Sequence, residues 1–597
     1  MNLRAIGTIS FYLPAILVVS TLIPSPLFIY ASLTPYFFFC LTAGVCIFFA
    51  GTLLLLKQGG TINRTSMLCL AIIGGWAIYI FLNSYWLQTT GGIRQGYLLI
   101  CLALLASALL VFHSPSFRPQ PVFRAISIIA ALEALVCIAQ SIAWIPSLNA
   151  YFRVTGTWVN PNVTAMFLAM AFPAMVLTVM GSTGKWKVTG LSILAVTGIA
   201  LLLLQCRTAM AAVIIAAVYI AQYRYNLVHA FNKRFRMPVR VLILSVLTLM
   251  VVLLCVAAWQ AKKDSANGRL LVWKISLNMI PRYPVTGYGY GMFERNYNLA
   301  QADYFRSGKG THEEKAHASH VMMAYNEYFE NLVEGGIAGV LFFVSLLALL
   351  SYTTWRIFRA ANAFPALIAG TGVLVFAIMS FVNFTMAAIP VMCLFMLYAA
   401  MLLSSAHPPT IRLSPLVKRS AGWLFIGCGV ITWYVQGTNA LAHHAVKRSV
   451  ILVGKGRLQQ ATALLQQQAP VIGSTESFGK TLGQLYLQQN DHAYALAAFQ
   501  QAARVSSSPD LYLLTGQTRQ ALHQYQDAIT AYQTAAYIHP SRLAPRYALM
   551  NLYLQQQDTA RALQTAREII ALEPRVHGKE TKQIKDQAGM VMQRFVH

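Results

Sequence analysis

Four stretches of this sequence carry residues whose types and spacing could do chemistry. In residues 153–162 (RVTGTWVNPN), Asn160 and Asn162 bracket Pro161, and Arg153 precedes them. Proline suits a helix start and the amides can cap its free backbone N–H groups, so this entry reads first as structure and second as a binding surface. In residues 205–208 (QCRT), Arg207 stands in a very tight turn between two apolar runs. A guanidinium stays charged and offers phosphate oxygens a planar fork; the plainer reading is an arginine snorkelling to headgroups. In residues 268–297, Arg269, Trp273 and Lys274 lie on an amphipathic segment, followed by a turn-rich run with Pro284, Gly287, Gly289 and Gly291. Its GYGYG resembles a dinucleotide fingerprint only superficially, since it follows proline rather than a strand and no βαβ unit surrounds it.

The fourth stretch is residues 317–339 (HASHVMMAYNEYFENLVEGGIAG). A helix from about 319 would set His320, Ala324, Glu327, Glu330 or Asn331, and Glu334 along one stripe. Carboxylates, an amide and an imidazole on one face are expected to line an aqueous cleft. An imidazole titrates near neutrality and can take a proton from an attacking hydroxyl while a carboxylate orients it. The plainer reading is a polar lead-in that merely faces water.

The elements that must hold these residues are membrane helices. Of 597 residues, 57% are hydrophobic and 11% charged. A soluble protein is about 25% charged, so a single soluble domain is excluded. Thirteen stretches approach the apolar length that a spanning helix needs: near 5–23, 35–56, 66–83, 97–112, 125–146, 161–181, 188–204, 207–223, 240–260, 331–352, 364–383, 388–405 and 421–440. The first has no small-x-small cleavage site and is expected to be retained. With the N-terminus in the cytoplasm, the loops on that side carry seventeen Lys and Arg, Lys57 among them, against Arg94, Arg153 and Arg207 in the short loops opposite. That bias sets the orientation and accounts for much of the +27 net charge as topology rather than nucleic-acid binding. Acidic residues cluster too: of nine in 1–439, only Glu133 lies in mid-span, and the rest fall between Asp264 and Glu334. Ionisable groups are costly near lipid and tend to mark function. The nine cysteines are odd in number, form no CxxC and sit in or beside apolar runs, so no disulfide framework or metal site is expected.

After 440 the composition turns to Gln, Ala, Leu and Tyr, and the chain repeats. ALAAFQQAARV from Ala495 matches AITAYQTAAYI from Ala528 at an offset of 33, and Ala528 and Pro540 recur as Ala562 and Pro574 at 34. A weaker copy starts near Ala461. This period, with helix–turn–helix patterning, resembles tetratricopeptide repeats, whose stacked helix pairs bind peptides or scaffold partners.

At these residues the chain resembles the O-antigen ligase and polymerase superfamily, which includes lipopolysaccharide O-antigen ligases and bacterial protein O-oligosaccharyltransferases. The resemblance covers roughly 150–405 and rests on G-T-x-x-N-P-N from Gly156 to Asn162, on Arg207-Thr208-Ala209, on Arg269 and Trp273 leading to Pro284, Gly287 and Gly289, and on Asn326, Glu327, Tyr328, Glu334 and Gly336. It implies a GT-C-like glycosyltransferase, without metal or other cofactor. Such an enzyme moves a glycan from an undecaprenyl-diphosphate carrier to a hydroxyl on the periplasmic side of a bacterial inner membrane, with inversion. By this resemblance Arg207 and Arg269 bind the diphosphate and a loop histidine is the general base. The family's histidine usually precedes the residue matched by Asn326, where this chain has Tyr325. His320 is therefore the expected base and Glu327 the alternative, with Arg153, Asn160, Asn162, Tyr325, Asn326, Glu330 and Glu334 supporting or binding substrate.

The expected architecture is all-α. Spans 1–9 occupy 1–260, a catalytic periplasmic loop 261–330, spans 10–13 occupy 331–440, and a TPR-like domain 441–597 lies on the periplasmic side if the thirteenth span is real. Expected partners are the lipid-linked donor, membrane lipid, a protein Ser/Thr, lipid A core or glycan acceptor, and a peptide or protein on the repeats; no nucleic acid. A protein acceptor leads, because repeats could hold polypeptide near the cleft. A transporter or flippase with a scaffolding tail would need repeated membrane halves with broken helices, and no half-to-half repeat is seen.

Overall fold

The structure, a computed structural model, describes residues 3–56, 61–89, 92–113, 117–260, 263–360, 363–405, 411–574 and 578–596. Lys57 and Ala261, the latter a domain boundary in the sequence reading, lie outside the described residues. The first helices are α1 (Leu3–Ser20), α2 (Leu33–Leu56), α3 (Arg64–Leu87), α4 (Gly92–Phe112), α5 (Pro119–Ser141), α6 (Pro161–Met180), α7 (Lys185–Leu204), α8 (Arg207–Tyr225), α9 (Leu227–Arg234) and α10 (Met237–Gln260). The long loop folds into α11 (Lys263–Met279), α12 (Phe293–Arg306) and α13 (His312–His317). Then come α14 (Glu327–Ala360), α15 (Phe364–Ser380), α16 (Ile389–Ser405) and α17 (Pro415–Gly454). Eight of these, α2–α8 and α14, are long and apolar enough to cross a membrane, with shorter apolar stretches in α10, α15 and α16. The thirteen expected stretches fall on α1–α8, α10 and α14–α17. The chain is an all-α membrane bundle, with α6 and α16 at its centre: Ile389 to Leu403 is buried throughout.

The long helix α17, which carries the thirteenth expected stretch, is held against α2 by small residues. Gly44 and Gly51 of α2 stand seven apart and face Gly429 and Gly422 of α17, also seven apart. A Cβ on Gly51 would come within 2.5 Å of Gly422 O, so the two backbones touch directly. Without a hydrophobic drive between helices in lipid, such contacts supply the packing energy. Between the helix ends, β1 (Thr61–Ile62) pairs antiparallel with β2 (Ile411–Arg412). The helix then runs without a break from that packing into the repeats, where Ala442 and Val446 join Ala461 and Leu465 in one core.

The tail comprises α18 (Leu458–Gln466), α19 (Ala469–Ile472), α20 (Glu476–Gln488), α21 (His492–Ala502), α22 (Pro509–Ala521), α23 (Tyr525–Ile538), α24 (Ala544–Gln555), α25 (Thr559–Ala571) and α26 (Lys579–Val596). The alanines that define the period, Ala461, Ala495, Ala528 and Ala562, are all fully buried. In two successive hairpins a glycine of the first helix faces an aromatic ring of the second, Gly483 against Phe499 and Gly516 against Tyr532. These are TPR-like helix pairs.

Two expectations are corrected here. The helix expected from about 319 begins at Glu327, because Asn326 caps it, its Oδ1 accepting from Tyr328 N and Phe329 N at 2.9 and 3.1 Å. His320 thus lies in an irregular segment and shares no stripe with the carboxylates. Glu327, Glu330 and Glu334 line no aqueous cleft: each is about 1% exposed, and each closes contacts between elements. Glu327 Oε1 accepts from Met386 N at 2.6 Å, Glu330 Oε2 from Ala324 N at 2.8 Å, and Glu334 Oε1 from Gly291 N and Phe293 N at 3.1 and 3.3 Å. Arg94 of α4 ion-pairs with Glu330 and, at 3.1 Å, with Glu334. A buried charge needs such a partner.

The glycine run is a clasp on α14. Gly336 takes a left-handed conformation (φ +61°) that interrupts the helix, and Gly287, also left-handed (φ +65°), lies against it. Tyr288 N and Gly289 N donate to the Val333 and Glu334 carbonyls at 2.8 and 2.9 Å, satisfying groups that the break leaves without helical partners.

Candidate functional site

Each expected residue can be traced to the element that places it. Asn160 caps α6, its Oδ1 accepting from Asn162 N at 3.0 Å, with Pro161 at the first helical position. The preceding backbone is pinned from α5: Glu133 Oε1 accepts from Thr157 N at 2.8 Å, and Gln140 Oε1 accepts from Thr155 N and Gly156 N at 2.9 and 2.8 Å. Glu133, the one acidic residue in mid-span, thus anchors this entry segment. Arg153 is exposed and borders neither cavity described below.

Gln205 (φ +51°) makes the two-residue turn between α7 and α8, so Arg207 opens α8. It lines a pocket of about 250 Å³ with Asn162, Arg269, Trp273 and Val382. Arg269 comes from α11. Its Nη1 donates to the Val382 carbonyl at 2.6 Å, and its guanidinium lies 5.2 Å over the Tyr325 ring. Burial pulls the Arg269 pKa below its ordinary value, and the neighbouring Arg207 charge acts in the same direction. No carboxylate pairs with either arginine among the described residues, in contrast to Arg94. Two like charges in one half-buried pocket is an arrangement that an anion would stabilise.

Arg269, Asn162 and Ser265 also wall a larger cleft of about 780 Å³. His317, His320 and Tyr325 face it from the loop, and Glu573 from the repeats. Tyr325 holds a left-handed backbone (φ +53°), and burial raises its phenol above the usual range, so the ring under Arg269 is neutral. The segment carrying His320 is held at several points. Asn298 Nδ2 donates to Val321 O and Asn298 Oδ1 accepts from Val321 N, both at 2.9 Å. Gln301 donates to Ser319 O at 3.0 Å, and Trp273 Nε1 to Ala324 O at 3.0 Å. His320 Nε2 lies 2.6 Å from Glu294 Oε1. An ionised carboxylate only accepts, so opposite an ionised Glu294 the neutral imidazole is the tautomer with its proton on Nε2 and its lone pair on Nδ1. On the far side of α11, Lys274 pairs with Glu314 of α13 at 2.7 Å; that hydrogen bond pushes the Lys274 pKa up to about 12. No group of three or more His, Cys, Asp or Glu among the described residues is placed to hold a metal ion.

The structure therefore brings together Arg207, Arg269, Asn162, Tyr325 and His320 around two adjoining cavities. It sets Glu327, Glu330 and Glu334 behind them, and leaves Arg153 apart. Sequence reasoning assigned no role to Glu294, Asn298, Gln301 or Arg94. The first three stand at i, i+4 and i+7 of α12, a helical stripe that the sequence contained.

Residues 190–344 match the family model described as O-antigen ligase, a span holding Arg207, Arg269, Glu294 and His320. No curated protein matches the chain. Among solved structures, the crystal structure of MamA is 17% identical, with 24% of this chain and 91% of that chain covered and a TM-score of 0.21. The Cut9–Hcn1 hetero-tetramer of the APC/C is 12% identical, with 93% and 90% covered and a TM-score of 0.22.

Proposed function

We propose that this O-antigen ligase domain transfers a glycan from an undecaprenyl-diphosphate carrier to a hydroxyl acceptor, on the periplasmic side of a bacterial inner membrane. The observation that carries the reading is that Arg207 and Arg269, neither with a carboxylate partner among the described residues, share one pocket adjoining the cleft that His320 faces. The family match supports glycosyl transfer. As the bond from the sugar to the carrier breaks, its electron pair passes to a diphosphate oxygen. Fixed guanidiniums in a half-buried site stabilise that growing charge most in the transition state. His320 takes the acceptor proton as the hydroxyl attacks the opposite face, giving inversion. Tyr325 holds Arg269 in place through its ring face, a contact strengthened by desolvation.

Protein Ser/Thr is the acceptor we favour, because Glu573 of the TPR-like domain helps wall the cleft. The family description favours a second reading, ligation to lipid A core. Reconstituted full-length protein with lipid-linked donor tests the chemistry. Arg207→Ala and Arg269→Ala should each lower the transfer rate by roughly 10²–10³-fold, with insertion unchanged, and wild-type rates would remove the scheme. Mass spectrometry of periplasmic proteins and of lipopolysaccharide, with and without the gene, separates the two acceptors, and lengthened carrier-linked chains would mean a polymerase.

A further inference from the structure

We propose that Glu294 is the positioning residue for His320 and that the C-terminal repeats set its place through Ser507. This rests on the reading of His320 as general base. Glu294 opens α12, on the loop, whereas Ser507 lies between α21 and α22 of the repeats. The Glu294 carboxylate accepts from Ser507 N at 3.2 and 3.3 Å and from Ser507 Oγ at 3.2 Å. The same Oε1 lies 2.6 Å from His320 Nε2. Ser507 is fully buried and the His320 and Glu294 side chains are 22% and 13% exposed, so the pair sits where water competes weakly. Its neighbours are held across the same boundary. Gln301, which fixes the backbone before His320 through Ser319 O, donates also to Ile538 O of the repeats at 2.7 Å. Arg295 donates to Ala503 O at 2.9 Å.

The chemistry follows from the acceptor-only nature of a carboxylate. Glu294 fixes the proton on Nε2, which leaves the Nδ1 lone pair to accept the proton of the attacking hydroxyl. The oxygen of that hydroxyl forms the new bond to the sugar, the carrier diphosphate leaves with the electron pair of the old bond, and the resulting imidazolium is held against the Glu294 charge. A repeat domain that merely tethered an acceptor would have no reason to grip this carboxylate.

The test uses full-length protein with lipid-linked donor and compares His320→Ala, Glu294→Gln, Ser507→Ala and the double variant His320→Ala/Glu294→Gln. Expected is a fall in kcat on the order of 10²-fold for Glu294→Gln, within the range a general base supplies. KM for the donor should be unchanged, and the second substitution should have no further effect once His320 is gone. Ser507→Ala should lower kcat several-fold. If His320→Ala retains normal activity, the reading of His320 as base fails, and the inference with it. If His320→Ala is inactive and Glu294→Gln is within twofold of wild type, the inference alone fails. It fails also if the Glu294→Gln loss multiplies undiminished onto His320→Ala, the mark of a merely structural role. Should Glu294→Gln not insert, Ser507→Ala decides by the same kcat and KM split.

Discussion

Arg94 does the opposite of Arg207 and Arg269, and their partners distinguish them. Arg94 is ion-paired with Glu330 and Glu334, each about 1% exposed, whereas Arg207 and Arg269 share a pocket with no carboxylate against them among the described residues. Removing one partner of a buried pair leaves an uncompensated charge and costs about 3–5 kcal/mol. Arg94→Ala should therefore lower the melting temperature sharply in detergent, and Glu330→Gln in that background should restore part of it. Arg207→Ala strands no acidic partner and should melt as the wild type does, which calorimetry or a thermal-shift assay checks. The sequence showed Arg94 and Arg207 as scarce basic residues of short loops and Arg269 on the long loop, but basic residues look alike until their partners are known. The carboxylates that neutralise Arg94 lie more than 200 residues away in the chain, a distance across which no spacing rule operates. His320 was legible as the nearest histidine to Asn326, yet its carboxylate was sought on the following helix and stands instead on α12, before it in the chain.

At the scale of elements, glycine positions decide which helices touch. Gly51 of α2 lies so close to α17 that a Cβ would meet Gly422 O at 2.5 Å and Ile426 N at 2.8 Å. Both neighbours are backbone, so the helices must separate to admit a methyl group. Gly51→Ala should cost about 1–3 kcal/mol, read as a lower melting temperature and faster proteolysis in 411–414. Gly74→Ala on α3, where nothing lies within 4 Å, is the matched control and should change neither. Span existence was legible because apolar length is a local property, and the repeats because their period is. The kink at Gly336 was not, since a glycine within a helical pattern reads as mere tolerance until Gly287 is seen against it. The helix start at Glu327 was missed for a local reason: Asn326 was matched to a family motif when its side chain is a cap.

For the molecule as a whole, the repeats help wall the cleft that His320 faces, through Glu573 and Pro574, as well as forming an appendage. α17 carries the chain from the membrane bundle into the first repeat core without a break, and α12 lies across the ends of α21 and α23. Besides Glu294 to Ser507 and the packing of Tyr537 against the loop core, that docking rests on Arg295 to Ala503 O at 2.9 Å, Arg306 Nη2 to Thr534 Oγ1 at 2.9 Å, and Gln301 to Ile538 O at 2.7 Å. Net hydrogen bonds are each worth about 1 kcal/mol, so the dock is strong enough to order the loop and weak enough to open locally. Arg295→Ala with Arg306→Ala should leave the bundle and the repeat cores intact while loosening α12. Hydrogen exchange is the measurement. Amides of α12 and of Val321 and Ala324, which are tied to Asn298 and Glu330, should exchange faster, the gain at Val321 exceeding that at Ala324. Ala324 is held from α14, on the membrane side, and Val321 from α12, on the repeat side. Equal protection at both amides in the double variant would mean that the loop holds its shape without the repeats.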